Sequence, residues 1–533
     1  MVSIGYKPYT IDAGYLFPPS LADFLGTEDE AHVFAEVTGQ LDVDCLDADF
    51  SGMGQHPYHP RLLLRVLMWG MVNRVVSTRR IEVLCGRDVS FIYLAGGQKP
   101  DFRTLARFRR RNATAIEGLF KQTILLCARL GMLNLGHLAL DGTKIKANSS
   151  KHKAMSYGRM KQEEERLKRE IEELMQQAEV TDAKEDRLFG VGNNGYSLPE
   201  ELRRREERLV KIRRLKEELE SEKREEQNLE AEQVPVIEAK EQRSFADSES
   251  RMMLMKRGEF DYAYNAQACP SEEGVIVVAD LTNQAADTGH LPDMVQKVRQ
   301  LREELGLSAT KEKTAVTADS GYFSVDNIKQ EGQGIELLIA SGREGKDDSV
   351  PDKGVYSVES FEYIKGSDSW KCPGNRQLVR EKKTVSQGRP KLRRYVCTDC
   401  GGCALMAYCL KQGDKRRNLL VKRKQLIRAE MRARLRNPEK QAIYSKRKWV
   451  AEQVIGQIKE SLGFRWITVR GKKFARAQWL FVCAVHNVMK AVRHLSSKRV
   501  VETPLPANGS LRSGSIVGCF RPVFGLPSGH GTT

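Results

Sequence analysis

The chain has 533 residues, 40% of them hydrophobic and 29% charged, which supplies buried cores and a solvated surface and excludes wholesale disorder. At roughly 150 residues per domain the length divides into about three to four units. Lys and Arg total 87 against 70 Asp and Glu, a net +17.

No run approaches the roughly 18 apolar residues of a spanning helix, and the opening residues, with Tyr6, Lys7 and Asp12 among them, lack a signal-peptide core, so a cytoplasmic location is expected. Eleven cysteines, an odd number in a reducing compartment, argue against a disulfide framework. The charge is unevenly spread. Lys411 to Arg499 holds 25 Lys and Arg against 5 Asp and Glu, whereas Lys161 to Glu232 holds 16 basic and 22 acidic residues. The basic excess is concentrated where a polyanion could be gripped.

Residues 1–135 read as a helical unit, expected to bind DNA. Pro60 suits a first helical turn, and the apolar positions of Pro60–Trp69 recur at three and four. Asp101 can cap a helix over Phe102–Arg111, in which Phe102, Leu105 and Phe108 share one face and arginines, Arg103, Arg107 and Arg110 among them, take the rest. Such a helix suits a nucleic-acid groove, and equally an amphipathic core helix with a solvated arginine face.

Residues 161–232 read as a coiled-coil helical hairpin. Leu167, Ile171, Leu174 and Ala178 step at helical spacing, as do Leu209, Ile212, Leu215 and Leu219, with a glycine-rich breaker from Gly190 to Gly195 between them. The arm is an assembly surface or a spacer. Strand signals bracket it at His137–Asp141, Asp261–Ala268 and Gly274–Asp280; a helix around Pro292–Glu304 and strands at Thr314–Asp319 and Glu336–Ser341 follow. The fold class is therefore α/β: a mixed-sheet core made of residues 136–160, 245–349 and 411–498, interrupted by the arm and by a cysteine-rich stretch at 350–410. Residues 500–533, rich in Gly, Pro and Ser, read as a disordered tail.

Asp141 and Asp319 each close an apolar strand and precede a turn, an arrangement that serves chemistry at a strand tip or simply makes the turn. In Lys448–Lys459, a step of about 100° per residue places Lys448, Glu452, Ile455, Gly456 and Lys459 on one helical face. This is a surface salt-bridge ladder or a metal-binding acid with phosphate-binding neighbours.

Taken in order, Asp141-Gly142-Thr143-Lys144, Tyr264-Asn265-Ala266-Gln267, Ala318-Asp319-Ser320-Gly321-Tyr322 and Glu452 within Val450–Lys459 resemble the DDE transposases of bacterial insertion sequences. The segments Tyr58–Leu64, Pro100–Thr104 and Ala484–Asn487 share the resemblance. It implies a ribonuclease-H-like core in which Asp141, Asp319 and Glu452 bind two divalent ions, Mg²⁺ or Mn²⁺, for cleavage at the terminal inverted repeats and joining of the 3′-hydroxyl ends to target DNA. Hard carboxylate oxygens suit such ions. The implied partners are double-stranded DNA and a second copy of the chain, with no membrane. The alternatives are a nuclease of the same fold without strand transfer and a non-catalytic DNA-binding regulator.

One departure stands out. The related transposases show Tyr and Arg three apart, Glu four beyond Arg and Lys seven beyond Glu; here Tyr444, Arg447 and Lys459 fit, but Glu452 lies five beyond Arg447 with Lys448 in the expected arginine place. Helical geometry puts Lys448 on the glutamate's face, so Lys448 and Lys459 are expected to meet phosphate, with Lys144, Tyr444, Arg447, Lys472, Lys473 and Arg476 as further DNA contacts.

Cys372, Cys397, Cys400, Cys403 and Cys409 form a candidate structural Zn²⁺ site, or a set of free packed thiols. Trp449, Trp466 and Trp479 suit base stacking, although core filling is the commoner use. His486-Asn487 reads as a satisfied core histidine with its neighbour, the commoner case, or as a ligand.

Overall fold

Residues 20–46, 57–189, 200–230, 233–256, 258–307, 312–342, 355–381 and 392–502 are described by a computed structural model. The breaker cluster at 190–195 and residues 503–533 of the expected tail lie outside them.

Local signals determine the first helices: α1 (Glu30–Gly39), α2 (Pro60–Val72), α3 (Thr78–Leu84), α4 (Val89–Leu94), α5 (Phe102–Arg111) and α6 (Ile116–Arg129). Pro60 occupies the first turn of α2, and Arg61 N–H donates to the His59 ring at 3.1 Å. Asp101 caps α5 by accepting from Arg103 N–H at 2.8 Å and Thr104 N–H at 3.0 Å, satisfying donors that a helix start leaves unpaired. Leu105 and Phe108 are buried, while Arg103 and Arg107 are exposed.

The chain then enters the sheet through β1 (His137–Ala139) and β2 (Asp141–Lys146). The expected single strand ending at Asp141 is in fact two: Leu140 lies between them, and its N–H donates to Thr317 O at 2.8 Å. A short β3 (Ala154–Ser156) leads into α7 (Tyr157–Phe189) and α8 (Glu200–Glu226), and β4 (Gln242–Ser244) returns to pair with β3. Met160, Leu167, Leu209, Ile212 and Leu215 form the apolar seam between the helices. Burial opposes the charge of Glu164, but Lys216, Arg213 and Lys168 hydrogen-bond it and hold its carboxyl at about 2.

Next come β5 (Arg251–Leu254), β6 (Phe260–Pro270), β7 (Ile276–Thr282), α9 (Leu291–Glu304), β8 (Thr314–Ala318), α10 (Val325–Ile328) and β9 (Ile335–Ile339). β6 pairs antiparallel with β2, β5 and β7, whereas β1, β8 and β9 run parallel. Counting β1 and β2 as one bent element, the order across the layer is β7-β6-β2/β1-β8-β9. β8, Thr314–Ala318, is buried at every position, its two threonines included, as a central parallel strand covered on both faces is.

β10 (Glu362–Ile364), β11 (Ser369–Lys371), β12 (Gln377–Arg380) and β13 (Arg393–Cys397), then α11 (Met406–Cys409) and β14 (Asn418–Val421), form a separate antiparallel meander. It has its own core around Tyr363, Trp370, Leu378, Tyr395 and Leu419. Finally α12 (Arg423–Arg436), α13 (Pro438–Gly456) and α14 (Lys472–Glu502) return to the sheet, α13 continuing into one π-helical turn over Gln457–Ser461. α14 extends two residues beyond the expected start of the tail, to Glu502.

α14 binds the parts together. Trp479, Val482, Ala484, Val485 and Val488 are buried in one apolar cluster that runs without a break from the N-terminal helices into the sheet. At roughly 1.5–3 kcal/mol per large buried side chain, such a seam outweighs any surface ion pair.

Candidate functional site

Asp141 opens β2 and Asp319 follows β8, so the parallel pairing of β1 with β8 brings both to one end of the layer. Asp319 caps a short turn, accepting from Gly321 N–H at 2.9 Å. Asp141 accepts from Gly142 N–H at 2.9 Å. Burial pushes its carboxyl up to about 6; the Gly142 N–H opposes the rise, the charges of Asp319 and Asp287 add to it, and Arg447 works against it. The two sequence-predicted aspartates therefore sit within each other's field, and burial is the main reason that Asp141 holds its proton more tightly than usual.

Asp287, which the sequence reading missed, is a third carboxylate here. Its Oδ1 accepts from Asn265 Nδ2 at 2.6 Å, Gln267 Nε2 at 3.0 Å and Lys144 Nζ at 3.2 Å. Gln267 in turn accepts from the Tyr322 hydroxyl. These polar groups crowd over Gly142: a Cβ there would lie 2.5 Å from Gln267 Nε2 and 2.8 Å from Asp287 Oδ1, so the position has no room for a side chain. The signal for Asp287 was weak, an Asp-Thr-Gly in a loop ahead of a proline-started helix, which reads as an ordinary turn.

α13 crosses this end of the sheet with Val450 and Ala451 packed on Ala139. Tyr444 donates to Ala318 O at 3.4 Å, and the Arg447 guanidinium lies 5.8 Å from the Tyr444 ring centroid. The charges of Arg447 and Lys459 both reach Asp141, while Lys448 stays exposed on α13 with Glu452. Lys459 does not follow from Glu452 by a uniform 100° step, because the π-turn re-aims it to donate to Thr143 Oγ1.

Of the other basic residues, Arg110 stands 5.4 Å from the Phe474 ring centroid, Lys473 is exposed, and Lys472 donates its backbone N–H to Glu249. Arg476 is committed to Glu117 and Asp280, which removes it from the phosphate-binding set. The tryptophans divide. Trp479 is buried and donates to Gln267 O at 3.1 Å, whereas Trp449 and Trp466 are 61% and 55% exposed. Core filling therefore accounts for Trp479 alone. His486 and Asn487 are satisfied in the core, through Gly274 O and through Ile276 and Thr123.

The five cysteines line one small cavity at the edge of the meander. Arg376 N–H donates to Cys372 Sγ at 3.3 Å and Arg417 N–H to Cys400 Sγ at 3.5 Å. Burial and the neighbouring Cys400 push the Cys397 thiol up to about 12. Among the described residues, no three or more His, Cys, Asp or Glu side chains form a group that could hold a metal ion. Neither the cysteines nor the acidic residues are thus a preassembled metal centre. No described helix is long and apolar enough to cross a membrane.

Residues 371–492 match the family model described as a transposase DDE domain, and residues 24–111 match one described as a transposase domain, DUF772. The first match includes Glu452, Lys459 and the five cysteines; Asp141 and Asp319 lie upstream of it. No curated protein and no solved structure matches the chain.

Proposed function

We propose, for a chain that belongs to the DDE transposases of insertion sequences, that it binds the terminal inverted repeats of its element, cuts DNA at the element ends and joins the freed 3′-hydroxyls to target DNA. The observation that carries this reading is the meeting of Asp141 and Asp319 at one end of a mixed sheet of order β7-β6-β2/β1-β8-β9. That order supports a ribonuclease-H-like core, with α7–α8 and the meander as insertions in it.

Asp141, Asp319 and Glu452 are the side chains that would hold Mg²⁺ or Mn²⁺, and their hard oxygen donors fit such ions. When bound, the metal pair supplies an activated water and stabilises the leaving 3′-oxygen. Glu452, exposed on α13, has to be drawn toward the aspartates; a divalent cation, opposite in charge to all three carboxylates, would favour that closure. Arg447 and Lys459 flank Asp141, where each can neutralise a phosphate oxygen, and exposed Trp449 offers a face to an unpaired base. Pairing two element ends calls for at least a dimer on DNA, and α7–α8 is the proposed assembly element. In the meander, a zinc ion held by four of Cys372, Cys397, Cys400, Cys403 and Cys409 is a separate proposal: the thiols line one cavity and two of them already accept N–H groups. The sulfurs would have to close around the ion.

Incubation with element-end DNA and Mg²⁺ or Mn²⁺, with cut and joined ends mapped, tests the reading. Cuts at the repeats and joined products are expected. Glu452→Gln should abolish cutting while leaving end binding intact. Wild type indistinguishable from Asp141→Ala would sink the enzymatic claim, and cutting without joining would reduce it to a nuclease.

A further inference from the structure

Two neighbouring concavities carry cations and no acids. One, of about 550 Å³, lies between α2, α5 and α14; Arg109, Arg110 and Arg470 stand in its wall with the polar side chains of Asn148, Thr468 and Gln478. Its floor is apolar, with Leu67, Ile116 and Phe481. The other, of about 470 Å³, lies where α7 and α8 meet the core and is lined by Lys153, Arg159, Arg208, Lys211 and again Arg470. Arg470 thus belongs to both walls.

The absence of carboxylates from these walls is selective. α7–α8 and its flanks hold more acids than bases, yet none faces the second concavity. The adjacent concavities lined by Lys472 do contain acids, Glu218, Glu222 and Glu249 in one and Asp280 and Asp293 in the other. Arg208 is paired with Glu163 at 3.0 Å. Among the described residues, Arg109, Arg110, Lys153, Lys211 and Arg470 form no ion pair, while the charge of Arg159 is felt by Glu163 as well. Unpaired cations crowded on a concave wall repel one another, and a polyanion relieves that repulsion over its whole length.

We propose that the two concavities form one continuous track for the sugar-phosphate backbone of the element DNA, leading from α5 across Arg470 to the root of the α7–α8 arm. This rests on the transposase reading and adds to it a role for the arm's root in holding DNA. The apolar floor beside α5 accommodates the deoxyribose faces between phosphates, while the guanidinium groups bind the phosphate oxygens.

The test is the salt dependence of binding to an element-end duplex, measured by fluorescence anisotropy between 50 and 200 mM salt, for wild type, Arg470→Gln, the double variant Lys153→Gln with Lys211→Gln, and Lys329→Gln, whose side chain pairs with Asp326, as control. Each lost phosphate contact lowers the slope of log affinity against log salt by about 1. A drop of about 1 for Arg470→Gln and about 2 for the double variant, with the control unchanged, is expected. The altered residues lie on the surface, and circular dichroism of each variant verifies that it is folded. Wild type that binds while both track variants keep its slope overturns the track and leaves the transposase reading standing. Wild type without salt-dependent duplex binding overturns both.

Discussion

Lys144 Nζ donates to Asp287 Oδ1 at 3.2 Å, so the cation three residues beyond Asp141 is already held by a carboxylate outside the Asp-Asp-Glu set. The same oxygen accepts from Asn265 and Gln267. One oxygen of Asp287 thereby fixes the side chains that crowd over Gly142, beside Asp141.

Replacing Asp287 with Asn removes the charge that holds Lys144 and leaves the shape. Asp287 acts on Asp141 through its charge and not through a hydrogen bond, and groups just outside a metal's ligands are worth about 10- to 100-fold in affinity. Mn²⁺ titration followed by electron paramagnetic resonance should show weaker binding in that range for Asp287→Asn, with the melting temperature little changed. Unaltered Mn²⁺ affinity would make Asp287 a purely structural residue.

Trp449 and Trp479 should respond oppositely to truncation. Trp479→Ala empties a fully buried site and costs about 3–5 kcal/mol. Trp449→Ala, at an exposed position, should change stability by no more than about 0.5 kcal/mol while weakening binding to an end with an unpaired base. Urea unfolding and binding to paired against frayed duplexes separate the two effects.

Acid should destabilise the core through His486. Burial lowers its pKa from 6.5 to about 4, so the folded state holds it neutral. Its contribution is fully present above 6.5, declines as the pH falls through the interval to about 4, and levels off below. Over that interval the loss attributable to His486 is about 3 kcal/mol. Denaturant unfolding at several pH values should show a shallower decline for His486→Gln.

The cysteine cavity makes a prediction independent of DNA. Protein purified without chelator should carry about one zinc per chain, and Cys397→Ser with Cys400→Ser should release it and loosen the meander, whose core is small. Metal analysis by mass spectrometry decides it. Protein free of zinc, with five reactive thiols after unfolding the meander, would leave the cluster as packed cysteines.

Elements built on local signals were legible in the sequence. Asp101 and the spacing of Leu105 and Phe108 mark α5 to the residue, and alternation and apolar runs locate β6, β8 and β9. What escaped depends on distant pairing or a local irregularity. The break at Leu140 arises because β1 pairs with β8 while β2 pairs with β6, strands far downstream. Asp287 acquires its place only when Asn265 and Gln267 come alongside from β6. The aim of Lys459 depends on a single π-turn that no periodicity reveals.

The unbroken apolar seam along α14 has a mechanical consequence. The N-terminal helices are not on a tether; they share packing with the sheet that carries Asp141 and Asp319. A duplex gripped by α5 would therefore meet the aspartates at a set offset, and the chain would act as a ruler whose graduation is the number of base pairs between grip and cut. Lengthening the element end by one base pair between those points should displace the cut by one, leaving its distance from the grip the same.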